Sequence, residues 1–174
     1  MTKFLTKAAL AATVATSLFA VPAMAAPAGT GQFDANARIV KPVTLTKNTN
    51  LDFGTTVMNS SLTSATVSVG GAAGEVAVCS STMLTCANGF PASFDLTSGV
   101  RNETVQISFD NPPTKLDHAS IVGSSVPFSL DAVADVLLDA NGEGSFFVGG
   151  NITVASTTDD GLYSATVDVV ANYL

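Results

Sequence analysis

From Phe33 onward the odd-numbered positions read Phe33, Ala35, Ala37, Ile39, Lys41, Val43 and Leu45, while Gln32, Asp34, Asn36, Arg38, Thr44 and Thr46 fall between them. One apolar face with a single lapse at Lys41 is the mark of a half-buried strand or pair of strands. Pro42 has no N–H to give a ladder, so any strand here lies at a sheet edge or changes partner at that point. Asn48-Thr49-Asn50 reads as a turn, and Leu51-Asp52-Phe53-Gly54 resumes the apolar face.

Further along, Ala65 to Val69 and Glu75 to Cys79 read as short strands separated by Gly70-Gly71, and Pro91 to Leu96 as another with Phe94 and Leu96 inward. Val105, Ile107 and Phe109 alternate with Thr104, Gln106 and Ser108 up to Asn111-Pro112-Pro113, and Val126 to Leu130 follows. Asn141-Gly142 is a hairpin signal, since both residues tolerate the positive φ that tight turns need. After it, Ser145 to Val154 reads as a strand kinked at Gly149-Gly150. Only Asp131 to Leu138 carries a short helical period, enough for one or two turns. The last fourteen residues place Gly161, Tyr163, Ala165, Val167, Val169, Ala171 and Tyr173 on one face, with Ser164, Thr166, Asp168 and Asn172 opposite. A terminal strand with an intact apolar face has to dock in a sheet, because left open it would template aggregation. Strands at this spacing, punctuated by Gly, Pro and Asn, predict an all-β fold, a sandwich or barrel.

Composition agrees. Charged residues make up only 12% of the chain, so the solvent faces of these strands are coated with Thr, Ser and Asn, and the Glu, Lys, Arg and Leu enrichment of helices is missing. The N-terminus sets the compartment: Lys3 and Lys7 precede an uncharged run from Ala8 to Val21, and Ala23-Met24-Ala25 supplies small residues at a cleavage site. That is the layout of a secretory signal peptide over residues 1–25. A span needs about 20 apolar residues, and this run stops at Pro22, so no integral membrane span is expected after cleavage. Residues 26–174 then form one domain. The net charge of −7 grows more negative once the two leader lysines are gone, which disfavours nucleic acid and anionic lipid as partners. Cys79 and Cys86, the only two cysteines, are expected to pair in an exported chain. A zinc site would need two more ligands, and His118 is the only histidine.

The order Phe33 to Val43, Leu51-Asp52-Phe53-Gly54, Val148-Gly149-Gly150-Asn151-Ile152-Thr153-Val154, Gly161-Leu162-Tyr163-Ser164-Ala165 and a closing Tyr173 resembles the secreted bacterial family called domain of unknown function 4402. The N-terminal layout also resembles the spore-coat-U-like branch of chaperone-usher pilins. Gly161, fourteenth from the C-terminus, and the penultimate Tyr173 resemble the ends of pilins generally. What the resemblance implies is an immunoglobulin-like, pilin-like antiparallel β-sandwich that lacks its last strand. A periodic donor strand from a chaperone, and then from the next copy of the chain, would fill the gap. Residues 26–40 would be the donor extension, with Phe33, Ala35, Ala37 and Ile39 entering the groove. Gly161, Tyr163, Val167, Val169 and Tyr173 would border the groove. The implied partners are copies of the chain itself and a periplasmic chaperone and usher, at the periplasm, cell surface or outside the cell. The chain lacks the cysteine that those pilins carry near the position of Val43.

The candidate chemistry is thin. Asp52-Phe53-Gly54 matches a kinase metal-binding triplet in letters only, without a phosphate loop or catalytic loop. Asp139-Ala140-Asn141-Gly142-Glu143-Gly144 imitates the start of a calcium loop, but its twelfth position is Gly150 where a bidentate Glu is required. His118 stands beside Asp117 with no nucleophile context, the acids are scattered, and no Trp is present. Asn59-Ser60-Ser61, Asn102-Glu103-Thr104 and Asn151-Ile152-Thr153 fit the glycosylation pattern by chance in a chain with a bacterial type of leader. No catalytic residue, metal or cofactor is therefore expected. Two functional classes stand: a structural or surface subunit that docks by strand donation, and a monomeric exported binding module of adhesin type with a complete sandwich.

Overall fold

The computed structural model describes Gly29 and residues 31–174. The expected leader and the start of the extension, residues 26–28 and Thr30, lie outside the described residues. The chain forms two bodies, residues up to Ala37 and Arg38–Leu174. In the first, the described residues Gly29 and Gly31–Ala37 form neither helix nor strand.

The second body contains strands and no helix. Its first seven strands are β1 (Thr44–Thr49), β2 (Thr55–Met58), β3 (Ser64–Val69), β4 (Val78–Cys79), β5 (Leu84–Ala87), β6 (Ala92–Thr97) and β7 (Thr104–Asp110). The next seven are β8 (Lys115–His118), β9 (Ser125–Leu130), β10 (Val136–Leu137), β11 (Gly144–Val148), β12 (Gly150–Ala155), β13 (Tyr163–Ser164) and β14 (Asp168–Tyr173). All pairs are antiparallel. The strands form four sheets, with orders β1-β6-β11, β10-β7-β14 and β13-β8-β9-β12-β3-β4 and the two-stranded ribbon β2-β5. This is the all-β antiparallel sandwich that the alternation predicts.

Alternation also accounts for the two cores. In β6 and β7 every second residue turns inward, burying Ala92, Phe94, Leu96, Val105 and Ile107 with Phe146 and Val148 of β11. In β3, β9 and β12 the same rule buries Ala65, Val67, Val69, Val126, Phe128, Ile152 and Val154. Each fully buried Val or Leu contributes about 1.5–3 kcal/mol, so the paired faces outweigh the polar rows turned to water. Leu51 and Leu130 pack against both clusters and join them.

The kink expected at Gly149-Gly150 carries the chain from one sheet to another: β11 pairs with β6, and β12 pairs with β3 and β9. A Cβ on Gly149 would lie 2.3 Å from the Val69 carbonyl oxygen, so only glycine lets the crossing pass this close to β3. Cys79 and Cys86 are joined, with Cα atoms 5.9 Å apart, which ties the edge strand β4 to β5.

Four expectations are corrected. Residues 31–43 form no strand despite their alternation; pairing begins at Thr44, beyond Pro42, with β6 as partner. Asp131–Leu138 makes no helical turn, because Val136 and Leu137 pair with β7 and the Leu138 N–H donates to the Glu103 carbonyl at 2.9 Å. Glu75–Cys79 narrows to Val78–Cys79. The last fourteen residues are two strands rather than one, since β13 pairs with β8 in one sheet and β14 with β7 in another.

Candidate functional site

Ala165–Val167, the step between β13 and β14, lies in neither strand. Beside it lies a groove of about 790 Å3, within the range of ligand clefts. Its apolar lining comes from both cores: Phe94, Phe109 and Val148 from one, and Leu116, Phe128 and Ile152 from the other. Phe53 and Met58 add to it, and the rings of Phe53 and Phe128 meet edge to face with centroids 6.0 Å apart. Two stretches of chain complete the lining, Lys47–Gly54 and Thr158–Val167, and Val169 follows on β14. β14 pairs only with β7, so along its other edge the backbone N–H and C=O groups have no ladder partner among the described residues. A groove of mixed polar and apolar lining that reaches β14 at Val169, in a fold with an open strand edge, fits an extended peptide: such an edge supplies main-chain hydrogen bonds and the groove takes alternate side chains.

Four of the expected bordering residues, Gly161, Tyr163, Val167 and Val169, all line this groove. Tyr173 does not. It sits at the far end of β14, where its hydroxyl oxygen accepts the Val100 N–H at 2.8 Å and it packs on the core built from β6, β7 and β11. Of the expected donor residues, Phe33 is 90% and Ile39 93% exposed, and Ala35 and Ala37 are exposed as well.

One rim is fastened by a group that the sequence left as loop chemistry. His118, at the end of β8, accepts the Ser120 and Ile121 N–H groups on Nδ1 at 3.0 and 2.9 Å. With that nitrogen occupied as an acceptor, the ring proton is on Nε2, which donates to the Asp160 carbonyl 2.9 Å away. The Tyr163 ring packs edge to face on the imidazole at 4.9 Å. Its hydroxyl donates to the Asp159 carbonyl at 2.7 Å and lies 3.3 Å from Ser124 Oγ. Gly161 crosses directly over the imidazole with φ +144°, and a Cβ there would sit 2.2 Å from Nε2. The partners of His118 are up to 42 residues away, so no local motif could have revealed them.

The acidic candidates are used as turn chemistry. The Asp139 carboxylate accepts the Glu143 and Asn141 N–H groups at 2.9 and 2.7 Å. These bonds, the one from Glu143 first, hold its pKa below the usual carboxylate range. Asp52 likewise accepts the Gly54 N–H at 2.7 Å, so the Asp-Phe-Gly triplet is a turn with Phe53 buried beneath it.

Among the described residues no helix is long and apolar enough to cross a membrane. The family model described as "Domain of unknown function (DUF4402)" matches residues 43–173. No curated protein and no solved structure matches the chain.

Proposed function

This chain belongs to the family of the domain of unknown function 4402, and from that premise we propose that it is an exported, non-enzymatic structural or cell-surface subunit that docks by strand donation. The supporting observation is the groove beside the unpaired edge of β14, lined by apolar side chains of both cores. The occupant is the segment Phe33–Ile39 of another copy. Its period-2 apolar face has strand length, about 23 Å for seven extended residues, against the six residues of β14. Phe33 and Ile39, exposed at 90% and 93%, are the side chains that such docking would bury. Before assembly the same groove would receive a strand from a periplasmic chaperone, and the mature subunit would be delivered to the cell surface.

Light scattering across a concentration series tests this reading. The parent is expected to gain mass with concentration, and a chain carrying Phe33→Asp and Ile39→Asp to remain monomeric, because two buried charges cost several kcal/mol. A parent that stays strictly monomeric throughout would instead favour the binding-module class, with the groove as a ligand cleft.

A further inference from the structure

Resting on that reading of the groove, we infer that His118 is a proton-sensitive clasp which holds the Asp159–Tyr163 rim in the shape that accepts a strand, and that acidification releases it. The chemistry lies in the occupancy of the two ring nitrogens. Nδ1 faces two backbone donors, Ser120 N–H and Ile121 N–H, at 3.0 and 2.9 Å. A proton on Nδ1 would point at both, so the imidazolium cannot keep these bonds. The neutral ring fastens two segments at once: the loop Ala119–Ser124 through Nδ1, and the rim through Nε2 to the Asp160 carbonyl. Gly161 and Tyr163, stacked over and against the ring, are rim residues of the groove, and the Ala119 N–H donates to the Leu162 carbonyl at 2.8 Å. When the ring flips or withdraws, loop and rim separate together.

The charged and titratable surroundings are few. Tyr163 touches the ring, and Asp159 and Asp160 present backbone carbonyls to the clasp with their carboxylates nearby on the rim. Lys115 and Asp117 pair with each other at 2.7 Å on the other face of β8. The loop Ala119–Ser124 and strand β9 carry no titratable side chain. His118 is therefore the one group facing both loop and rim that can take up a proton on a ring nitrogen. A released rim has to be reordered when a strand binds, so apparent affinity falls with the competent fraction.

The experiment uses the full chain carrying Phe33→Asp and Ile39→Asp, with and without His118→Asn, and a synthetic peptide spanning Gly31 to Val43. Asn offers an acceptor oxygen to the same N–H groups but does not titrate. With His118 present, affinity for the peptide is expected to weaken at least about fivefold from pH 7.5 to pH 5, while the His118→Asn chain changes less than about twofold. Over the same range, exchange of the Ser120 and Ile121 amides, corrected for intrinsic rate, is expected to accelerate only in the His118 chain, a readout that stands if the Asn variant binds poorly. Equal binding at both pH values, or exchange with the same pH dependence in both chains, overturns the clasp and leaves strand acceptance standing. A peptide that binds at neither pH removes strand acceptance, and the gate with it.

Discussion

At the scale of single residues, side chains whose partners lie close in sequence were the readable ones. The turn role of Asp139 followed from its place before Asn141-Gly142, and its carboxylate does hold that turn through the Glu143 and Asn141 N–H groups. Its pKa is lowered in the folded chain, so its contribution is present above the unfolded value near 3.9 and is lost as pH falls through the lower folded value. Asp139→Asn should therefore melt below the parent at about pH 7, with the gap narrowing at about pH 2.5; a gap that stays constant across that range would contradict the assignment. Tyr173 was legible as a docked residue but its hydrogen bond was not, since Val100 is 73 residues away. Tyr173→Phe keeps the packing and orphans the Val100 N–H, which should cost about 1–2 kcal/mol in denaturant melts. The same distance concealed His118: a lone histidine next to an aspartate carries no sequence sign of a clasp closed from the far end of the chain.

Among the elements, alternation identified the strands with a buried face and missed those held mainly by their neighbours. β3, β6, β7, β9 and the β11–β12 pair were visible because valine, isoleucine, leucine and phenylalanine recur there every second residue. β2, β5 and β8 are four residues each with mixed faces, and period alone does not single out so short a run. The C-terminal stretch shows the opposite error. Its face is continuous in sequence, yet the chain changes sheets at Ala165–Val167, and a period of two says which side is buried but not which sheet buries it. Pairing also sets Asp168 directly opposite Asp110, two like charges across one antiparallel rung, which is unfavourable. Asp168→Asn should raise stability by about 0.2–1 kcal/mol, and more at low salt than at high salt; chemical denaturation at two ionic strengths checks it. The Cys79–Cys86 link closes a short loop at the β4 edge, and replacing both cysteines by alanine should cost about 2–3 kcal/mol, read from the same melts.

For the whole molecule, the fold class was legible because it depends on many weak, repeated signals that agree. The groove was not, because it is a space lined by Phe53, Phe94, Phe109 and Phe128 from four separate stretches of chain. The sequence did supply both halves of the proposal, a periodic segment at Phe33–Ile39 and a C-terminal strand with an apolar face. The segment has no strand partner among the described residues, and the proposal assigns its alternation to docking. The most direct test is an NMR titration of the isotopically labelled full chain carrying Phe33→Asp and Ile39→Asp with the Gly31–Val43 peptide. Strand acceptance predicts saturable shifts concentrated at the amides of Phe109, Val167 and Val169, and none with a peptide bearing Asp at both positions. No shifts at these amides, or equal shifts with the charged peptide, would contradict it.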